Sequence, residues 1–370
     1  MIKQPPNTGA AAPQLPHIAA PLLRWYDAGH RDLPWRALPT PYRVWVSEVM
    51  LQQTRVEAVI PYFERFLTAL PNVAALAAAD EHALMKLWEG LGYYNRARNL
   101  QRAARQMQER HGGDLPADYE ALRALTGFGD YTAGAVASIA FGLAHPAVDG
   151  NVLRVCSRLA AWDGDSQSQM AKRLFAGGLQ GQLGDRPGDF NQAMMELGAT
   201  VCLPNGRPLC DRCPLADRCR ALEQGQPLAY PRRAEKRPRR REARTVLAIV
   251  APAGALLRLR PAQGLLGGLW ELPNPVGTLD VAQALAVLSA LGLDAQELTP
   301  LASSVHIFTH VQWDMTGYLV RVKDTPPPPQ CHWASREDIG SRYALPSAFK
   351  AYRAPLLRAM EVDLERNGQP

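Results

Sequence analysis

The sequence predicts a multidomain protein, an all-α half followed by an α+β domain. Three features lead there. Apolar residues recur at helical spacing from about Ala19 to Leu222. The stretch "YPRRAEKRPRRREART" (Tyr230 to Thr245) is dense in Arg, Lys and Pro with almost no apolar residue, the composition of a tether. Beyond it the apolar period shortens to two, as in strands. A length of 370 residues agrees, since one domain takes roughly 150 residues. The expected divisions are a flexible tail over 1–18, a helical domain over 19–229, a basic linker over 230–244 and a second domain over 245–370.

The helical segments follow in order. "VWVSEVMLQQTRVEAVIPYFERFL", "EHALMKLWEGL", "ARNLQRAARQMQERHG" and "GAVASIAFGL" each carry an apolar stripe, and Pro and Gly separate them. After the linker, "TVLAIVAPAGALLRLRP" reads as two short strands around a turn. "LDVAQALAVLSALGL" reads as an amphipathic helix, and "SVHIFTHVQWDMTGYLVRV" returns to strand alternation. No internal repeat is evident.

Forty-one Lys and Arg against 35 Asp and Glu give a net charge of +6, which favours an anionic partner such as nucleic acid. Six cysteines in a chain this long do not resemble a secreted disulfide framework. No stretch reaches the ~18 apolar residues that span a bilayer, and the N-terminus lacks a signal-peptide pattern. The expectation is a soluble cytoplasmic protein with no membrane partner.

Four of the cysteines crowd into "VCLPNGRPLCDRCPLADRC" (Val201 to Cys219), spaced C-x7-C-x2-C-x5-C as Cys202, Cys210, Cys213 and Cys219. Four soft sulfur ligands suit either tetrahedral zinc or a four-iron cluster. One CxxC with a single cysteine on each side points toward iron-sulfur, because zinc ribbons usually bring two separated CxxC hairpins. Upstream, "LTGFGDYTAGAV" (Leu125 to Val136) places Gly127 and Gly129 between two helical segments. Glycines allow a tight turn with exposed N–H groups, and the next helix N-terminus adds a positive dipole end, so the turn can hold a phosphate. By itself it is also an ordinary interhelical turn.

Two carboxylates stand out. Asp149, in "HPAVDGNVLRV", sits at the mouth of a helical run and by itself is an N-cap. Glu48 lies within "VWVSEVMLQQ", where an apolar surround would raise a carboxyl pKa; the plain alternative is the polar position of an amphipathic helix. A raised-pKa acid paired with an ionised carboxylate suits general acid–base work, one group giving a proton while the other steadies positive charge.

The cysteine loop after a helical domain, the hairpin and the motifs "PYRVWVSEVMLQQT" (Pro41 to Thr54), "GLGYYNRARNL" (core Leu91 to Leu100) and "FNQAMMELGA" (Phe190 to Ala199) together resemble the endonuclease III and MutY glycosylases. The resemblance runs from "LPWR" near Leu33 to "YALP" near Tyr343. It implies a helix-hairpin-helix glycosylase domain with a [4Fe-4S] cluster on the four cysteines, although that family usually has six residues, not seven, between the first two. It implies base excision repair of duplex DNA at adenine mispaired with 8-oxoguanine or guanine. The expected protein is a monomer, and a missing transit peptide and lean linkers suggest a bacterial one, associated with the nucleoid. Glu48 would protonate adenine N7 and later assist water, Asp149 would stabilise the cation or bond to C1′, and Asn151 would orient the site.

Further roles come from the same resemblance. Bifunctional relatives carry at position 131 a lysine that attacks the sugar; Tyr131 cannot form that imine, which implies a monofunctional enzyme with Tyr131 bonded to the catalytic aspartate. Gln53 and Tyr93, with Thr54 and Leu91 beside them, match positions that wedge into the helix when a base is flipped out. Arg36 and Glu196 match positions lining the adenine pocket.

"RPAQGLLGGLWELP" (Arg260 to Pro273) resembles the Nudix-like C-terminal domain of these glycosylases. "LDVAQALAVLSALGL" lacks the glutamates that would bind Mg²⁺ for pyrophosphate hydrolysis, so the expectation is recognition only. "HIFTH" resembles the family's Phe-Ser-His loop, which puts Phe308, Thr309 and His310 at 8-oxoguanine. Two other readings stand beside this one: an endonuclease III-like glycosylase with lyase activity, and a catalytically silent iron-sulfur protein that binds DNA or carries electrons. Tyr131 and the extra domain oppose the first, and the Glu48 and Asp149 pair opposes the second.

Overall fold

The structure, a computed structural model, describes residues 15–235 and 238–367, with side chains described as far as Glu361. Residues 1–14 of the expected tail lie outside the described residues. The expected boundary at 18 comes late, because Ile18 is fully buried in the helical core and its N–H donates to Gln182 Oε1 at 2.8 Å.

The helices run in order α1 (Ala19–Gly29), α2 (Pro34–Ala37), α3 (Pro41–Leu51), α4 (Val56–Ala69), α5 (Val73–Ala78), α6 (Glu81–Leu87), α7 (Asn95–Arg110), α8 (Tyr119–Arg123), α9 (Asp130–Phe141), α10 (Gly150–Ala160), α11 (Gln169–Gln180), α12 (Pro187–Thr200) and α13 (Arg220–Glu223). Their starts are written locally. Thr40, Asp118, Asp149 and Ser168 each cap a helix with a side-chain oxygen that accepts the N–H three residues on. Two compact units form, Met1–Ala78 with Asn99–Lys236, and Ala79–Arg98 with Arg237–Pro370. The segment 79–98, placed in the helical domain by its sequence, thus packs with the C-terminal residues.

In the first unit, α1, α10, α11 and α12 share a core of Leu22, Tyr26, Val155, Phe175, Phe190 and Leu197. Each such side chain contributes about 1.5–3 kcal/mol by leaving water. Helix α3 is buried along most of its length, from Val44 to Met50, and packs on α4 and α9.

The second unit holds a mixed sheet of β1 (Arg240–Ala251), β2 (Gly254–Leu259), β3 (Trp270–Glu271), β4 (Ala295–Ile307), β5 (Val311–Val322) and β6 (Cys331–Ala334), with α14 (Val281–Ala290), α15 (Arg336–Ser341) and α16 (Lys350–Asn367). Strand order is β3-β2-β1-β5-β4, with β6 also paired to β2. β1 and β5 run parallel over Arg240↔Val311 to Val250↔Arg321. One face packs Trp313 of β5 against Phe349 and against Tyr352 of α16, and the other buries Leu247 and Val320 beneath Leu288 of α14.

The linker ends earlier than its composition indicates, since β1 begins at Arg240. Charge pairing is the reason: Arg241 Nε meets Asp314 Oδ2 across the strands at 2.9 Å, and Arg244 Nη2 meets Glu242 Oε2 at 2.9 Å while its guanidinium covers the Trp313 ring at 4.8 Å. Among the described residues no helix is long and apolar enough to cross a membrane.

Candidate active site

A cavity of about 830 Å³ opens in the first unit and is lined from α3, α9, α10 and α12. It gathers Arg36, Glu48, Gln53, Thr54, Tyr131, Asp149, Asn151 and Glu196 from the sequence-derived set.

Glu48 is buried, 5 % exposed, on the inner face of α3. Burial pushes its carboxyl up to about 7; the nearby Asp149 charge adds to this, while a hydrogen bond from Tyr131 and the Arg36 charge oppose it. The raise expected from an apolar surround is therefore present. The expected partner of Tyr131 is not: its hydroxyl donates to Glu48 Oε2, with Met195 Sδ 3.3 Å away, rather than to Asp149. Tyr131 lies in the first turn of α9, which packs on α3, and that geometry aims the phenol at Glu48. Burial and the neighbouring carboxylates raise the phenol further, so it stays a donor.

Asp149 does cap a helix. Its Oδ1 accepts from Val152 N at 2.8 Å and its Oδ2 from Asn151 Nδ2 at 2.9 Å. Burial raises the carboxyl, while these bonds and the Arg154 charge favour its ionised form. Asn151 is held in turn by Arg154, whose Nη2 donates to Asn151 Oδ1 at 2.8 Å and to Gly198 O at 2.7 Å. Gly198 is needed for this approach, since a Cβ there would stand 2.5 Å from Asn151 Cβ.

Glu196 is 2 % exposed and accepts from two arginines, Arg36 Nη2 at 2.9 Å and Arg31 Nε at 2.7 Å, with Arg31 Nη2 at 3.0 Å. Burial alone would raise this carboxyl, but the arginines outweigh it and hold it below the usual range. Arg31 escaped the sequence reading, because only the fold brings it to Glu196, 165 residues away. Three fixed charges beside the Glu48 and Asp149 pair give the cavity a polar wall suited to a heterocycle with donors and acceptors on its edge.

The hairpin forms the tight turn its glycines permit. Phe128 N donates to Leu125 O at 3.1 Å, Gly127 has φ 83°, and Gly129 is the N-cap of α9. A Cβ on Gly127 would come 2.7 Å from Asn99 Cβ. The N–H groups of the first turn of α9 therefore face outward without helical partners.

Leu91, Tyr93, Phe308, Thr309 and His310 belong to the second unit and line no part of the cavity. Leu91 is buried, while Tyr93 is half exposed, with its hydroxyl 3.4 Å from Thr309 Oγ1. Phe308 packs edge-on against Trp313, and Thr309 and His310 are exposed at the β4–β5 turn. Gln53 and Tyr93 share a backbone feature that the sequence does not display: both are non-glycine residues with positive φ, 58° and 48°. Such strain costs on the order of 1–3 kcal/mol and clusters at functional positions.

The four loop cysteines are free thiols. Cys202, Cys213 and Cys219 pack on the helical core, and Cys210, Cys213 and Cys219 each lie within electrostatic reach of Cys202. Arg158 Nη1 donates to Cys202 Sγ at 3.1 Å. Among the described residues no three His, Cys, Asp or Glu side chains are gathered tightly enough to hold a metal ion.

Comparison with known proteins agrees with this architecture. Residues 46–179 match the HhH-GPD superfamily of base excision DNA repair proteins, and residues 245–354 match the NUDIX domain. The chain is 38 % identical to the adenine DNA glycosylase of Homo sapiens, over 90 % of this chain and 72 % of that protein. It is 31 % identical to the adenine DNA glycosylase of Schizosaccharomyces pombe, over 90 % of this chain and 88 % of that protein. A thermostable thymine-DNA glycosylase superposes with a TM-score of 0.50 and 26 % identity, over 56 % of this chain and 95 % of that one. Both domains and most of the length are thus shared with one set of relatives, and the chain belongs to the adenine DNA glycosylase family.

Proposed function

We propose that the protein is a monofunctional base excision repair glycosylase that extrudes adenine paired with 8-oxoguanine or guanine and hydrolyses its glycosidic bond. One observation carries the reading: a buried glutamate with its carboxyl pushed up to about 7 shares a cavity with a helix-capping aspartate. Glu48 supplies a proton to the departing base, because a carboxyl titrating there is still an acid near neutral pH and a competent base afterwards. Asp149 faces the sugar as the stabilising carboxylate, steadied by Asn151 and Val152 N. Arg31, Arg36 and Glu196 orient the base edge, and Tyr131 fixes the Glu48 carboxyl.

A flipped base leaves a gap in the stack, and exposed Gln53 and Tyr93, held in strained backbone, are the side chains to fill it. Tyr93 and Thr309, adjacent in the second unit, would meet the orphaned 8-oxoguanine together with Phe308 and His310. A [4Fe-4S] cluster fits the cysteine loop by donor chemistry: it needs four thiolates, and the loop supplies four free thiols within eighteen residues, one of them already accepting from Arg158. When bound it would order the loop, with Cys202, Cys210, Cys213 and Cys219 as its ligands, and the bond-breaking groups all lie elsewhere. The protein acts as a monomer on duplex DNA in the cytoplasm, at the nucleoid.

The test is incubation with a duplex bearing adenine opposite 8-oxoguanine, followed by hot alkali to cleave abasic sites. Product from the parent and a strongly slowed Glu48→Gln are expected, with no efficient borohydride-trapped adduct. An inactive parent or an unaffected Glu48→Gln sinks the mechanism, and efficient trapping sinks the monofunctional reading.

A further inference from the structure

The cations around the cavity fall into two groups. Arg31 and Arg36 are engaged by Glu196, and Arg154 by Asn151 and three backbone carbonyls. On the rim, Arg55, Lys172 and Arg233 are exposed and have no ion-pair partner among the described residues. Lys172 and its neighbour Arg173, equally unpaired, also line a second cavity of about 660 Å³. That cavity includes Gly129 of the hairpin and shares Tyr131, Val148 and Lys172 with the first.

Fold stability does not account for these charges. Lys172 and Arg173 stand close to the N-terminus of α11, where the helix dipole disfavours cations. Arg233 belongs to the stretch whose composition reads as a tether, yet its position is set by its neighbour: Ser166 N donates to Arg232 O at 3.0 Å, and Arg232 pairs with Asp163 at 2.7 Å. One arginine is fastened to the unit, and the next is left at the cavity mouth. Unpaired cations at a mouth that takes an extruded nucleotide match the phosphates on either side of it.

We propose that Lys172 and Arg233 form a phosphate clamp on the strand that carries the extruded adenine, with Arg173 and Gly129 continuing the track along the second cavity. Both are positioning residues, holding the strand while Glu48 and Asp149 act. The proposal rests on the DNA glycosylase reading above.

The experiment measures binding of the full-length protein to a duplex carrying a tetrahydrofuran abasic analogue opposite 8-oxoguanine, from low to moderate salt. Parent, Lys172→Met, Arg233→Met and the double variant are compared, with Lys323→Met as a control. Each clamp variant is expected to bind several-fold more weakly and to reduce the slope of log affinity against log salt by roughly 0.9, the double by about twice that. The control should match the parent. Single-turnover excision at saturating enzyme should stay within about twofold, which a misfolded or miswired site would not allow.

A second arm replaces single phosphates beside the target with neutral methylphosphonates. At one position on the adenine strand the difference between parent and each variant should vanish. Unchanged salt slopes, no coupled phosphate on that strand, or a slowed saturated rate with affinity intact would each overturn the clamp. Failure of the glycosylase reading shows instead as a parent that binds but excises nothing.

Discussion

The Tyr131 hydroxyl donates to Glu48 Oε2, so the residue that cannot form a Schiff base instead tempers the rise in the proposed acid's pKa. That bond favours the ionised carboxylate, and burial opposes it more strongly, leaving the carboxyl at about 7. As the acid, Glu48 must be protonated, so excision is lost as pH rises through about 7; it is lost again at acid pH, where Asp149, raised by burial, takes up a proton and no longer stabilises the cation. Tyr131→Phe removes the lowering bond and should move the alkaline limb of the single-turnover profile to higher pH. A limb that stays put would contradict the coupling.

Glu48→Gln should lower the single-turnover rate by roughly 10²–10⁴-fold. It should also raise the melting temperature at pH 8.5. With the folded pKa above the ordinary glutamate value of 4.5, the native state carries a penalty that grows between pH 4.5 and 7 and is complete above it. Glutamine removes that penalty, so the stabilisation should fade in scans at pH 5.

Asp149 has two separable duties. Asparagine caps helices about as well as aspartate, so Asp149→Asn should stay within about 1 kcal/mol of the parent in denaturant titration, whereas Asp149→Ala loses about 1 kcal/mol more. Both should lose roughly 10²–10³-fold or more in excision rate, because neither carries the stabilising charge.

Gly198→Ala tests the approach of α12 to α10. The added methyl meets Asn151 Cβ at 2.5 Å and Asn151 Cα at 3.1 Å, so one helix must shift, at about 1–3 kcal/mol. Asn151 moves with it, and excision should slow while affinity for abasic-analogue DNA holds.

At Gln53 stability and function should part. Gln53→Gly relieves the φ of 58°, worth about 1–2 kcal/mol, against about 0.5–1 kcal/mol for glycine's own entropy, so stability should rise by up to about 1 kcal/mol while extrusion, read by 2-aminopurine fluorescence at the target, weakens. A more stable variant with normal extrusion would remove Gln53 from the wedge.

Cys210→Ser should cost folding or DNA affinity before it alters the chemical step, since the proposed bond-breaking residues lie outside the loop. Iron and sulfide assays of the parent should find about four of each per chain. An intact, tightly binding Cys210→Ser protein with a slow saturated rate would contradict a scaffold role.

Much of the architecture was legible because it is written in local pattern. Helical period, capping residues such as Thr40 and Ser168, and the change to period two after the linker need no knowledge of distant residues. The burial of Glu48 was legible from its apolar neighbours on α3. The start of β1 was not, because Arg241 and Arg244 are neutralised and covered by Asp314 and Trp313, far along the chain. The placement of 79–98 with the C-terminal unit was hidden for the same reason: Glu89 accepts from Leu345 N and Arg353 Nη1, both at 3.0 Å.

The sequence by itself determined the two-part chain, the four clustered thiols, the hairpin glycines and which carboxylates to examine, since each depends on residue identity and short-range spacing. Only the tertiary structure decided that Tyr131 serves Glu48 rather than Asp149, that Arg31 joins Arg36 on Glu196, and that Gly198 leaves room for Asn151. Those relationships are made by α1, α3, α9, α10 and α12 converging, and the direction in which a side chain points across such a junction is set by packing, which local spacing does not encode.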